Sequence, residues 1–151
     1  MYRKILVPLD GSELAECVLP HAESITKGCG VETVTFVRVS EPINITYAGE
    51  YGFSLSAQEL ERMESDSKAA ARKYLDQLIT RVTYDGVYLQ TEVLSGRKAA
   101  EMIVVYATKN ETDLIVMATH GSSGPSLWDY GNIADKILHG VSSPIFLVRP
   151  K

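Results

Sequence analysis

Ala118-Thr-His-Gly-Ser-Ser-Gly-Pro-Ser-Leu-Trp-Asp-Tyr-Gly-Asn132 joins an apolar run, Asp113-Leu-Ile-Val-Met117, to a helix-like segment, Ile133-Ala-Asp-Lys-Ile-Leu138. A glycine-spaced connection between a buried strand and a helix start gathers several backbone N–H groups in one place. Such a bend holds an anion, most often a phosphate. Gly121, Gly124 and Gly131 permit close backbone approach. The N–H groups of Gly131, Asn132 and Ile133 open a helix whose end carries about half a positive charge, and the Asn132 side-chain amide is a further donor.

The same strand–loop–helix unit recurs along the chain. Residues 3–8 read as a short buried strand, followed by the turn Leu9-Asp10-Gly11-Ser12. Asp10 with Glu13 has the form of a capping box, and Ser12 is also a competent cap. Leu14, Val18, Ala22 and Ile25 then share a helical face. Pro20 inside that helix predicts a kink or an unpaired carbonyl, and Gly28 and Gly30 end it. Val34–Val39 is a β-branched strand, followed by a longer loop over residues 40–55. Ser56-Ala-Gln-Glu59 is a capping box opening a long helix, with Leu60, Met63, Ala71, Leu75, Leu78 and Val82 on its inner stripe. Val87–Leu94 alternates as an edge strand does. Ala100, Ile103, Val104 and Ala107 mark a third helix, residues 113–118 a strand buried on both faces, Gly131–Val141 a fourth helix, and Ile145–Val148 a last strand. This βαβαβαβαβ alternation predicts an α/β fold in three layers, a five-stranded parallel sheet with helices on both faces and right-handed crossovers. The expected organisation is a single domain over residues 1–151.

A chain of 151 residues is long enough to bury a core. With 45% apolar and 23% charged residues its composition is that of a globular protein. A net charge of −4 and a pI near 5.4 provide no basic field for nucleic acid. No apolar run reaches the ~20 residues of a membrane span, and the first residues have no apolar leader. Cys17 and Cys29 form neither a C-x-x-C pair nor a metal spacing, which reads as two free thiols in a reducing compartment, with the cytoplasm as the expected location. No histidine spacing supports a metal site. P-loop, G-x-G-x-x-G and G-x-S-x-G patterns are absent.

In a doubly wound sheet, ligands sit beyond the carboxyl ends of the strands where the winding reverses. With strand order 3-2-1-4-5 that point lies between the first and fourth strands, where the turn Pro8–Ser12 meets the loop Ala118–Asn132. Asp10, acceptor-only when ionised, suits a ribose hydroxyl. Val39, near the end of the second strand, offers backbone groups to an adenine edge. His120 reads either as a phosphate contact or acid, or as a loop residue bonded to local backbone. Trp128 and Tyr130 suit base stacking or loop packing, and Tyr47, Tyr51 and Phe53 suit a lid or an interface.

At these residues the chain resembles the universal stress protein family. The resemblance runs from Lys4-Ile-Leu-Val-Pro-Leu-Asp-Gly-Ser12 through Ala15-Glu16 and Leu19-Pro-His-Ala22. It continues through Asp113-Leu-Ile-Val-Met-Ala-Thr-His-Gly121 to Gly131-Asn-Ile-Ala-Asp-Lys-Ile-Leu138 and Pro144-Ile-Phe-Leu-Val148. It implies the adenine nucleotide alpha hydrolase-like fold and a homodimeric regulator that binds ATP or AMP, with Mg²⁺ as a possible companion of ATP. Some members bind no nucleotide. The implied contacts are Pro8, Leu9, Asp10 and Val39 on one side of the crevice. On the other they are Met117, Ala118, His120, Gly121, Gly131, Asn132 and Ile133. The motif of the nucleotide-binding members, G-x2-G-x9-G-[ST], keeps its spacing here, with Ala118 at its first glycine and Asn132 at its last position. The loop holds no Lys or Arg and does hold Asp129, with Lys136 one turn into the helix, so AMP or ADP meets less penalty than ATP. The alternative is a dimeric interaction module of the same fold without nucleotide. An enzyme, at most a slow ATP hydrolase, ranks last because no positioned base and cationic clamp can be named. The strand Ile145–Val148 at the sheet edge invites pairing with its own copy about a two-fold axis, as the resemblance also implies.

Overall fold

The computed structural model describes residues 1–41, 56–120 and 132–151 and, of Asn132, the backbone. Five strands, β1 (Lys4–Pro8), β2 (Thr33–Ser40), β3 (Tyr88–Ser95), β4 (Leu114–Ala118) and β5 (Ile145–Val148), form one parallel sheet in the order β3-β2-β1-β4-β5. Among the described residues, the helices α1 (Leu19–Cys29), α2 (Ala57–Arg81), α3 (Ala99–Lys109) and α4 (Asn132–Gly140) lie between them. The α/β alternation and the strand order are those expected.

Side-chain alternation along each strand divides the core into two layers. Ile5, Val7, Val34, Phe36 and Val116 pack on one face with Ala22 of α1 and Leu75 and Leu78 of α2. Leu6, Val37, Ile115 and Met117 pack on the other with Ile103 and Ala107 of α3 and Ala134 and Ile137 of α4. Central strands buried on both faces must be apolar at consecutive positions, which is why Ile5–Val7 and Leu114–Met117 run without interruption. The edge strand β3 is nowhere fully buried.

Register at the centre is pinned at the amino ends of the strands. One oxygen of Asp113 accepts the N–H groups of Arg3 and Lys4, both at 2.9 Å, and the Asp113 N–H donates to the Lys4 carbonyl at 2.9 Å. The donors that favour its charged form hold the Asp113 carboxyl below its ordinary pKa.

The first connection departs from expectation. Ala15–Val18 is a 3-10 turn, and α1 proper begins at Leu19. Pro20 therefore falls in the first turn of α1, where its missing N–H has no intrahelical acceptor to lose, and the expected kink does not arise. Leu14 precedes the 3-10 turn and is exposed rather than part of the buried stripe. Gly28 lies within α1, and Gly30 closes it with φ +64°.

The Ser56–Glu59 capping box opens α2 as expected, with both reciprocal hydrogen bonds present. Its inner stripe is buried only from Ala71 onward; Met63 is exposed and Leu60 half-buried. The cause is length. Ser40, the last residue of β2, meets Ser67 hydroxyl to hydroxyl at 3.0 Å. The turns of α2 before Ser67 therefore extend past the carboxyl edge of the sheet. Among the described residues no helix is long and apolar enough to cross a membrane.

The Asp113 anchor generates a pH prediction. Because its folded pKa is depressed, its stabilisation is present above the unfolded carboxylate pKa and is lost as pH falls through the folded value. Asp113→Asn should cost about 1 kcal/mol at neutral pH, allowing for exposure. The gap between variant and wild type should close below about pH 4 in urea melts.

Candidate functional site

The sheet parts at its carboxyl end between β1 and β4. Beyond Pro8, β1 stays with β2: the Leu9 N–H donates to the Val37 carbonyl at 2.8 Å. Beyond Ala118, β4 stays with β5: the Thr119 N–H donates to the Val148 carbonyl at 2.8 Å. Between β1 and β4 the register pairs only Ile5 with Leu114 and Leu6 with Ile115. Backbone polar groups of successive strand residues point to opposite edges. Since Leu9 faces β2, the nitrogen of Pro8 faces β4, and proline has no proton there to continue the ladder. Pro8 and Leu9 are buried at this parting and Asp10 is exposed beyond it.

The turn after β1 is held by its own side chains. Asp10 Oδ1 accepts the Ser12 N–H at 2.9 Å and the Ser12 hydroxyl at 2.5 Å. Ser12 Oγ in turn accepts the Ala15 N–H at 3.2 Å. Ser12 thus satisfies the first amide of the 3-10 turn although Leu14 is the residue that flanks it, and an Asp10–Ser12 turn stands where the Asp10–Glu13 capping box was expected. A carboxylate two residues from an amide closes this small ring more readily than one spanning to Glu13.

Val39 is half-buried and in register with Leu94. It has the same strand parity as Val37, so its backbone groups point toward the β1 side, past the last paired residue of β1. Met117 and Ala118 are buried at the end of β4. His120 is half-buried, and its Nδ1 lies 2.8 Å from the Thr119 hydroxyl. Asn132 and Ile133 are the first residues of α4, and Ile133 is exposed. Gly121, Gly124, Gly131, Trp128, Asp129 and Tyr130 lie outside the described residues, as do Tyr47, Tyr51, Phe53 and the Asn132 side chain. The topology brings Pro8, Leu9, Asp10, Val39, Met117, Ala118 and His120 to the carboxyl edge of adjacent strands.

Sequence reasoning missed Arg38. It sits one residue before Val39 and, by alternation, on the opposite face of β2. There its guanidinium carbon lies 5.1 Å from the centroid of the Tyr74 ring on α2. The Tyr74 hydroxyl donates to Glu16 Oε1 at 2.8 Å, and Arg81 donates to the same oxygen at 2.6 Å. Burial, followed by the Glu16 hydrogen bond, raises the Tyr74 pKa, so this tyrosine stays neutral. The available signal was a lone arginine between two valines at the carboxyl end of a strand. Among the described residues, no group of three His, Cys, Asp or Glu forms a metal site. Cys17 and Cys29 are free thiols, and burial pushes the Cys17 thiol up, away from the reactive thiolate range.

The universal stress protein family model matches residues 1–149. Universal stress protein MJ0531 of Methanocaldococcus jannaschii is 28% identical over 149 residues, covering 99% of this chain and 83% of that protein. The solved structure of the hypothetical protein MJ0577, from the same organism, superposes with a TM-score of 0.81 at 22% identity, covering 100% of this chain and 98% of that one. A universal stress family protein from Arabidopsis thaliana, solved with AMP bound, superposes with a TM-score of 0.56 at 11% identity, covering 99% of this chain and 92% of that one. These superpositions agree with the adenine nucleotide alpha hydrolase-like fold expected from the sequence.

The turn after β1 carries a direct test. Ser12→Ala removes the one hydroxyl that both accepts from the Ala15 amide and donates to Asp10, and should cost about 1 kcal/mol in urea melts. Ser12→Thr should retain most of that stability.

Proposed function

This chain belongs to the universal stress protein family, and from that premise we propose that it binds an adenine mononucleotide in the crevice between β1 and β4. The observation that carries the reading is the parting of the sheet at Pro8. It leaves the Asp10 turn and the end of β4 facing one another at the point where the winding of the sheet reverses. Asp10 accepts from the ribose, backbone groups near Val39 meet the adenine edge, and the segment from Ala118 to Ile133 receives the phosphate. The AMP-bound Arabidopsis relative supports an adenine nucleotide as the ligand class. AMP is favoured over ATP because no Lys or Arg stands between Ala118 and Asn132 to offset a triphosphate. In this reading the chain acts as a single-domain regulator in the cell's stress response rather than as an enzyme.

The same reading makes the protein a homodimer. Strand β5 is a sheet edge, and Phe146 on it is 41% exposed beside the His21 ring, with centroids 5.8 Å apart. Pairing of two β5 strands about a two-fold axis satisfies the edge and covers Phe146.

Two measurements test this function. AMP at a hundred times its dissociation constant should add about 2.7 kcal/mol of stability, read as a rise in Tm. Asp10→Ala should abolish that rise. Absence of any shift with millimolar AMP or ATP would establish the alternative, an interaction module without nucleotide, which Ala118 and Asn132 in the motif favour. By sedimentation, wild type should be dimeric, and Phe146→Lys should weaken the dimer by about tenfold or more, equivalent to about 1.4 kcal/mol.

A further inference from the structure

We infer that Arg38 is a positioning residue of the crevice: its guanidinium, set between the Gly11 turn and the Tyr74 ring, braces the turn that presents Asp10. Gly11 has φ +86°, a conformation that side chains rarely adopt. A Cβ built there would lie 2.9 Å from the guanidinium carbon and 3.0 and 3.1 Å from its two terminal nitrogens. Near-equal distances to all three atoms put that point over the guanidinium plane rather than at an edge. The absent side chain of Gly11 is therefore the space that the Arg38 plane occupies.

The other support of the brace is Tyr74, 5.1 Å from the guanidinium carbon. Its ring is itself held, through the hydroxyl, by Glu16, which Arg81 also grips. Glu16 belongs to the 3-10 turn that follows Ser12, and Tyr74 and Arg81 belong to α2. The turn after β1 is thus fastened to α2 at two places, at Gly11 through Arg38 and at Glu16 through Tyr74 and Arg81. Asp10 lies immediately before the first.

Arg38 has no carboxylate partner among the described residues. Its guanidinium turns a face toward the position a Gly11 side chain would take, and its central carbon lies 5.1 Å from the Tyr74 ring centroid. A planar, weakly hydrated guanidinium stacks in this way and a lysine ammonium does not. The plane, more than the charge, is the feature the site uses.

The consequence for ligand binding rests on the nucleotide reading above; the consequence for the turn does not. The test uses Arg38→Lys, which keeps charge without a plane, and Arg38→Met, which keeps neither. In unliganded protein, both should accelerate amide hydrogen exchange at Gly11 and Ser12 by about tenfold, with the Leu9 amide in the β1–β2 ladder unchanged. Both should also weaken adenosine and AMP equally, by about tenfold, because the disturbed contact is Asp10 with the ribose. Wild-type exchange in the Arg38→Lys variant would overturn the inference. So would a loss confined to AMP and rescued by lysine, which would make Arg38 a phosphate-facing charge. If wild-type protein binds neither ligand, the nucleotide reading falls and the exchange measurement alone decides the role of Arg38.

Discussion

The nitrogen of Pro8 has no proton, and the ladder between β1 and β4 does not continue through it at the point where the winding of the sheet reverses. On one side of β1 the ladder to β2 continues through Leu9, whose amide reaches Val37. On the other side the nitrogen facing β4 cannot donate, while β4 remains bonded to β5 through Thr119. Two strands that are neighbours in a continuous sheet at Ile5 and Leu114 are no longer paired beyond Leu6 and Ile115. The chain must then leave β1 as a turn, and the turn stands open to whatever lies above β4.

An exposed turn at a sheet edge needs restraint if it is to present a carboxylate in one direction. Part of that restraint is local, from the Asp10–Ser12–Ala15 hydrogen bonds. The remainder comes from α2, which lies across the same face and supplies Tyr74 and Arg81. A ligand site on a loop is only as precise as the rigid elements that support it, and here the long helix is the support. Burial of its second half under β2 and β3 gives it a fixed position.

The charge of the site follows the same division. The segment from Ala118 to Asn132 contains no Lys or Arg, and Asp10 adds a carboxylate on the β1 side. A positive charge reaches the β1 turn from β2, a different element: Arg38 lies against Gly11 and near the Tyr74 ring and has no carboxylate partner among the described residues.

Much of this was legible in the residues alone. The uninterrupted apolar runs 5–7 and 114–117 announce strands buried on both faces, and Ser56 with Glu59 announces the start of α2, because both signals are local and depend on period or on neighbours three residues apart. Alternation of elements announced a parallel α/β sheet; the strand order 3-2-1-4-5, taken as a premise, is the one the sheet adopts. Tertiary structure decided what distance along the chain conceals. It set Pro20 in the first turn of α1 instead of mid-helix, since the preceding 3-10 turn shifts the start of the helix. It left the first turns of α2 uncovered, since the sheet ends at Ser40. It also laid Arg38 against Gly11, two residues 27 positions apart whose complementarity, a missing side chain and a flat cation, has no periodicity to betray it.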